Sequence, residues 1–184
     1  ETGLRDVRTR ALLAALSTGK ILPRRLVYIS TSGVYGDCGG AWVSEEHPAR
    51  PQTARARRRI DAEMRLRRFG RAHRVAVSIL RAPGIYSDDR LPLARLERGL
   101  PLLQESDDSY TNHIHADDLA RLAWAALFRG RSQRIYHAVD AHPLKMGDWF
   151  DSCADAFELP RPPRVKRAEA EKVLSEALLS FLRE

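Results

Sequence analysis

Four arginines fall within five positions of the segment PQTARARRRIDAE (51–63), at positions 55, 57, 58 and 59. A guanidinium stays protonated at physiological pH, so these residues can bind anions but cannot act as a general base. The segment suits either a basic surface for a polyanion or a solvated helix face. The ion pairs expected to brace such a face are Arg59–Glu63, Asp61–Arg65 and Glu63–Arg67. RNA is disfavoured as a partner, because the helix lacks interleaved aromatic residues or a recognised nucleic-acid module.

Hydroxyl side chains follow a short apolar segment. LVYIS (26–30) is predicted to form a buried strand, and it continues directly into TSGVYG (31–36). Ligands of open α/β sheets bind at the carboxyl ends of strands, where serine and threonine can donate to a substrate carbonyl or hydroxyl. Ordinary turn chemistry accounts for the same residue types. Both interpretations stay open on residue type alone.

The segment NHIHADD (112–118) contains two histidines that would share one face of an extended strand, His113 and His115. No third ligand follows at a metal-binding spacing, so no metal site is predicted. Asn112 and His113 are instead expected to face a substrate.

The elements that must position these residues alternate between helix and strand. Helices are predicted over 5–19, 53–69, 92–99, 115–130, 146–159 and 166–183, and buried strands over 26–30, 75–80 and 134–139. In the second helix, Ala56, Ile60 and Met64 form the predicted apolar face, and Gly70 is the predicted stop. This alternation favours an α/β fold, a parallel sheet with helices on both faces.

Composition predicts a soluble globular protein, with 43% hydrophobic and 30% charged residues. No long apolar span or signal peptide is evident, so we expect a cytoplasmic location and no membrane partner. The net charge of +7 attracts anions in general without specifying one. Cys38 and Cys153 are isolated thiols, which predicts no disulfide framework.

Four motifs resemble segments of the extended short-chain dehydrogenases/reductases, the NAD-dependent epimerase/dehydratase family. YISTSGVYG (28–36) resembles the family's strand and turn, and RAPGIYS (81–87) the segment beside the nicotinamide. TNHIHADDLARLAWAAL (111–127) resembles the family's paired-aspartate segment, and YHAVDAHPLKMGDWF (136–150) the strand and helix that follow. Their order implies the carboxyl-terminal part of a partial Rossmann-like sheet, plus a small C-terminal substrate-side helical region.

The resemblance also explains the spacing of the arginines. Family members carry a Tyr-x-x-x-Lys pair on the helix after the turn, and the IDAE segment (60–63) matches the end of that motif. Counting back four residues from Glu63 places Arg59 at the lysine position, and four more places Arg55 at the tyrosine position. The usual tyrosine is the general acid/base, a role that arginine cannot take.

The resemblance implies a site residue by residue. The catalytic positions are Thr31, Arg55 and Arg59, with Thr31 at the position that polarises the substrate. The implied cofactor-binding residues are Ser30, Thr31, Arg59, Pro83, Gly84 and Ile85. The implied substrate-binding residues are Ser32, Tyr86, Asn112 and His113.

The implied cofactor is NAD or NADP. A dinucleotide fold begins with a strand and a glycine-rich turn that binds the pyrophosphate, and the sequence contains no such turn. We therefore expect impaired cofactor binding in this chain as given, and we interpret the chain as a fragment. Residues 1–142 are predicted to be the carboxyl part of the dinucleotide-binding domain, with a substrate-side insert around 88–112, and 143–184 the C-terminal helical region.

The leading functional prediction is an NAD(P)-dependent epimerase/dehydratase-like oxidoreductase acting on a nucleotide-sugar-like or other small polar substrate. One alternative is a catalytically silent NAD(P)-binding or regulatory protein of the same fold, and a further one is a basic polyanion-binding protein. Whether the chain is an enzyme, which substrate it takes and whether it forms a homodimer stay open.

Overall fold

The computed structural model describes residues 3–174, which form two compact units. The first unit comprises the chain up to Pro83 together with Ala116–Val139, and the second comprises Gly84–His115 and the chain from Asp140 onwards. The domain boundary predicted at residue 142 stays a prediction, because compact units do not by themselves define domains.

Helices and strands alternate through the described residues. The helices are α1 (Val7–Thr18), α2 (Ala54–His73), α3 (Leu93–Glu97), α4 (Ala116–Arg129), α5 (Met146–Ala156) and α6 (Arg167–Val173). The strands are β1 (Arg25–Thr31), β2 (Ala76–Ala82), β3 (Gly84–Tyr86), β4 (Leu102–Leu103), β5 (Tyr110–Thr111), β6 (His113–His115), β7 (Arg134–His137), β8 (Leu144–Lys145) and β9 (Arg164–Val165). Each predicted helix and strand is present, although the last predicted helix extends beyond residue 174, outside the described residues.

A three-stranded parallel sheet organises the first unit, in the order β1-β2-β7. The prediction that these three strands share one parallel α/β sheet with helices on both faces is confirmed. Apolar side chains of β2 and α2 form the core beneath it, and α1 adds Leu13 and Leu16 to that core. The buried members are Leu66, Phe69, Val75, Val77 and Ile79.

Helix α2 differs from its prediction in two respects. It continues through Gly70 to His73, so Gly70 does not end the helix. A Cβ at position 70 would lie 2.6 Å from Val77 Cγ2, so glycine at this position allows the helix to pack closely on β2. The predicted apolar face is wrong at Met64, which is 58% exposed, while the neighbouring Glu63 is buried. The helix is thus rotated so that an acidic side chain faces the sheet.

The second unit contains three short strand pairs and its own apolar core. Strands β3 and β6 pair in parallel, as do β4 and β9, whereas β5 and β8 are antiparallel. The core includes Leu102, Leu103, Met146, Phe150 and Ala154. Within residues 3–174, no helix combines the length and apolarity needed to cross a membrane.

Candidate functional site

A buried ion pair lies at the carboxyl ends of β1 and β2 in the first unit. The Glu63 carboxylate accepts from Ser30 Oγ at 2.5 Å and from Arg81 Nε and Nη2 at 3.2 and 2.7 Å. Ser30, Glu63 and Arg81 are only 5%, 3% and 4% exposed. Because the pairing is bidentate and buried, it fixes helix α2 against both strand ends.

This arrangement corrects two of the predicted surface pairs. Glu63 bonds Arg81 and Ser30, so the predictions that it pairs with Arg59 and Arg67 on a solvated helix face are wrong. The third predicted pair is present, with Arg65 Nε 2.7 Å from the Asp61 carboxylate.

The polar cluster extends from Arg81 to the end of β7. The Arg81 guanidinium lies 4.7 Å from the Tyr35 ring centroid, and the Tyr35 hydroxyl is 2.6 Å from His137 Nε2. Burial raises the pKa of Tyr35 and lowers the pKa of His137, so near neutral pH the hydrogen bond joins an uncharged phenol and an uncharged imidazole. The His137 backbone N–H donates to the Glu45 carboxylate at 3.2 Å, which ties the loop after Tyr35 to the strand.

Thr31 and Ser32 lie where β1 ends and a short 3-10 turn begins. Thr31 Oγ1 accepts from the Gly33 N–H at 3.3 Å and so caps the turn. This bond uses an oxygen lone pair and not the hydroxyl hydrogen, and the half-buried Thr31 can therefore donate to a ligand oxygen. Ser30, one residue earlier, already donates to Glu63.

The two arginines at the Tyr and Lys positions have different surroundings. Arg55 is exposed in the first turn of α2. Arg59 is half-buried, its Nη1 donates to the Tyr28 hydroxyl at 2.9 Å, and its guanidinium lies 5.8 Å from the ring centroid. Burial raises the pKa of Tyr28, so the phenol stays protonated. Both guanidinium groups can attract an anion, and neither can accept a proton.

An aromatic cluster occupies the second unit around β3 and β6. The His113 ring stacks on Trp149 with centroids 3.9 Å apart, and Tyr86 packs edge-on against Trp149 at 5.0 Å. The Tyr86 hydroxyl donates to the Asp140 carboxylate at 3.1 Å. Burial lowers the pKa of His113 to about 4, so this imidazole is neutral at physiological pH.

The remaining predicted site residues of the second unit adjoin this cluster. The Gly84 N–H donates to the Asn112 carbonyl at 3.3 Å, and a Cβ on Gly84 would lie 2.7 Å from His113 Cδ2. Ile85 pairs with Ile114 and is 37% exposed. Gly84, Ile85, Tyr86, Asn112 and His113 therefore lie together, while half-buried Pro83 belongs to the first unit.

Sequence reasoning missed several members of these clusters. Glu63 and Arg81 were assigned no buried role, although both stand inside the recognised motifs. Asp140 and Trp149 also lie in a motif segment. Tyr86 and Asp140 are 54 residues apart in sequence, so no local sequence pattern predicts that they contact each other. His137 likewise contacts Tyr35 across 102 residues.

The donors that these residues offer suit part of a dinucleotide. The Arg59 guanidinium matches a phosphate or ribose oxygen, and the Thr31 hydroxyl can reach a polar group at the strand end. The glycine-rich turn that binds a pyrophosphate is not found in the 184 residues. Within residues 3–174, no cluster of three or more His, Cys, Asp or Glu side chains is arranged to bind a metal.

The parallel α/β sheet with helices on both faces places the protein in the class of Rossmann-like α/β folds. Residues 7–139 match the model of the NAD dependent epimerase/dehydratase family, and the chain belongs to that family. No curated protein matches the chain.

Solved structures share this fold. A functionally unknown conserved protein from Silicibacter pomeroyi DSS is 29% identical, with a TM-score of 0.80 over 100% of this chain and 63% of its own. The NAD complex of dTDP-glucose 4,6-dehydratase from Bacillus anthracis str. Ames is 16% identical, with a TM-score of 0.69 over 89% of this chain and 59% of its own. The NAD complex of UDP-glucuronic acid 4-epimerase from Bacillus cereus is 19% identical, with a TM-score of 0.73 over 88% of this chain and 56% of its own. The chain thus spans between 56% and 63% of the length of these proteins.

Proposed function

We propose that the protein is an atypical NAD(P)-dependent oxidoreductase of the epimerase/dehydratase type, acting on a nucleotide-sugar-like or other small polar substrate. The observation that carries this proposal is the Thr31 hydroxyl, which lies at the carboxyl end of a parallel strand with its hydrogen not used in the turn. That position suits donation to a substrate carbonyl or hydroxyl. The fold shared with NAD-bound dehydratases and epimerases supports the cofactor class.

In this proposal the chain's own residues bind and orient the reactants. Thr31 donates a hydrogen bond to the reacting oxygen, and Arg59 binds an anionic or ribose oxygen of the cofactor. The nicotinamide, when bound, supplies the hydride acceptor and donor. Tyr86 is a separate hypothesis for a relocated acid/base; within the second unit its hydroxyl donates to the Asp140 carboxylate.

A catalytically silent NAD(P)-binding protein is the second candidate. It is favoured by the arginines at the usual Tyr and Lys positions, because Arg55 is exposed and Arg59 donates to Tyr28. A pair of guanidinium groups supplies no proton acceptor. Replacing Arg55 by Tyr and Arg59 by Lys is not expected to restore turnover by itself, since substrate placement must also be right within about 1 Å.

These 184 residues contain no glycine-rich turn, so we expect impaired cofactor binding when they are tested alone. The test therefore measures cofactor binding and turnover separately in the full-length protein. Binding of NADH and NADPH is followed by nicotinamide fluorescence, and turnover with a panel of nucleotide sugars by absorbance of the reduced nicotinamide. For an active enzyme we expect Thr31→Val to lower turnover about 100-fold, the usual effect of losing one preorganised donor. Thr18→Val is the matched control, because it makes the same substitution at an exposed threonine in the last turn of α1 that belongs to no predicted site.

Each result separates the candidates. Bound cofactor without turnover in any variant supports the silent protein, and turnover lost in Tyr86→Phe identifies the relocated base. Turnover unchanged by Thr31→Val contradicts the role of Thr31, and failure to bind either nucleotide contradicts the cofactor assignment.

A further inference from the structure

A groove of about 400 Å³ runs between helices α1 and α2 in the first unit. Its apolar part is formed by Leu13 and Ala14 of α1 and by Phe69 and Ala72 of α2. On each helix the lining residues recur mainly three or four positions apart, so each helix contributes one face and the groove follows both helices for about two turns. None of these residues belongs to the site proposed above.

Helix α1 carries more apolar surface than the first unit buries. Its segment ALLAAL (11–16) contains six consecutive apolar residues, which extend over more than one full turn and therefore point to every side of the helix. Leu13 and Leu16 pack against the core, whereas Leu12 is 52% exposed and Ala14 is also exposed. Helices that are apolar on all sides are normally buried, so the exposed side of α1 is suited to contact with a partner.

Arginine side chains line the same groove. Arg10 belongs to α1, and Arg65 and Arg68 belong to α2. The Arg65 guanidinium is paired with the Asp61 carboxylate at 2.7 Å, whereas Arg10 and Arg68 are exposed. The groove therefore combines an apolar surface with positive charge.

The charge of the two helices distinguishes between a second copy of the chain and another partner. Helices α1 and α2 contain ten arginines and only two acidic residues, Asp61 and Glu63. Both carboxylates are used within the chain, since Asp61 pairs with Arg65 and Glu63 pairs with Arg81. In a two-fold dimer this face would contact itself, and the juxtaposed like charges would oppose association. The charge pattern favours an acidic partner instead.

We propose that the α1–α2 groove binds an amphipathic helix with acidic flanks from a partner protein. Apolar side chains three and four positions apart on the partner helix pack over Leu13, Ala14 and Phe69. Carboxylates beside them pair with Arg10 and Arg68. A nucleic acid would use the same charges through its phosphates but would leave the apolar part of the groove uncovered, so the observations favour the helix.

The test is a fluorescence anisotropy titration of the full-length protein with a labelled synthetic peptide. The peptide is a helix of about 14 residues, or four turns, with leucines on one face and glutamates on both flanks. A scrambled peptide of the same composition lacks the apolar face, and a single-stranded oligonucleotide tests for phosphate binding. We expect the amphipathic peptide to bind at least about tenfold more tightly than the scrambled peptide.

Two variants test the two parts of the groove. Arg10→Glu/Arg68→Glu should weaken peptide binding at least about tenfold, because it replaces two attractive contacts by two repulsive ones. Ala14→Gln should also weaken binding at least about tenfold by filling the groove, and it should fold because glutamine is well tolerated in helices. Arg129→Glu/Arg131→Glu is the matched control, since it makes the same charge change at exposed arginines that do not line the groove. Circular dichroism checks that each variant is folded.

Several results overturn the proposal. The scrambled peptide may bind as tightly as the amphipathic one, or the variant with both charges reversed may bind like the wild type. Tighter binding of the oligonucleotide, in competition with the peptide, would assign the surface to phosphates. A dimer in sedimentation equilibrium that Ala14→Gln dissociates would assign the groove to a second copy. No peptide binding up to about 1 mM would equally refute the proposal. The readout is binding, so the outcome is independent of whether the protein turns over a nucleotide sugar.

Discussion

Replacing Glu63 tests whether the buried ion pair determines the stability of the first unit. The carboxylate accepts three hydrogen bonds from Ser30 and Arg81, and all three residues are at most 5% exposed. Glu63→Ala leaves the Arg81 guanidinium buried without its counter-charge, which typically costs about 3–5 kcal/mol. Glu63→Gln retains the shape and one acceptor, and we expect a smaller loss of about 2–3 kcal/mol.

The assay is urea unfolding followed by circular dichroism. For a slope of about 2 kcal/mol/M, a loss of 3 kcal/mol lowers the midpoint by about 1.5 M. The control is Glu46→Gln, which removes a 79% exposed partner of Arg134 and should cost under about 1 kcal/mol. The double variant Glu63→Leu/Arg81→Met should lose less stability than Glu63→Ala, because it removes both charges together.

The outcome can refute this reasoning in two ways. A loss below about 1 kcal/mol in Glu63→Ala means that water or another group compensates Arg81. A double variant less stable than Glu63→Ala means that packing, and not charge, is the main contribution of this pair.

Three further predictions concern the aromatic and histidine contacts. In the urea unfolding assay, Gly84→Ala should destabilise the protein by about 1–3 kcal/mol, because its Cβ would lie 2.7 Å from the stacked His113 ring. Gly3→Ala is the control and should be neutral, because a Cβ at position 3 would have no atom within 4 Å. The folded-state pKa of His113 is lowered from 6.5 to about 4, so the free energy of unfolding should decrease as the pH falls from 6.5 towards 4. In urea unfolding measured across this pH range, His113→Gln should show a smaller decrease. Tyr35→Phe should cost about 1–2 kcal/mol by leaving His137 Nε2 without its phenol partner, and the imidazole nitrogen shifts in NMR spectra should change with it.

Much of the fold could be predicted because its signals are local. Continuous apolar segments such as 75–80 indicate buried strands, and helices with acidic first turns and glycine ends have recognisable boundaries. Parallel pairing followed from the alternation of strands and helices. Gly70 was misassigned because a glycine at a close helix–strand contact and a glycine at a helix end look alike in sequence.

The candidate site was predictable only in part, for a different physical reason. The hydroxyls after β1 and the arginines of α2 have fixed spacing, so their positions can be counted along the chain. The pairing of Glu63 with Arg81 instead depends on tertiary contact, and hydrophobic periodicity assigns a charged residue to the solvent side. Met64 was therefore predicted to be buried in place of Glu63, and the true orientation of the helix was missed.

The strand pairing of the first unit also has a consequence for how the chain folds. Arg25 pairs with Ala76, 51 residues later, and Ser78 pairs with Arg134, 56 residues later. No tight hairpin joins neighbours in this sheet, so every pairing must close a long loop before its contacts stabilise the chain. Helices α2 and α4 can form within about a microsecond, whereas sheets built from such distant contacts form on the order of milliseconds to seconds. We therefore expect helical structure to precede the sheet during refolding, with Glu63 and Arg81 meeting only at the late step that joins α2 to β2.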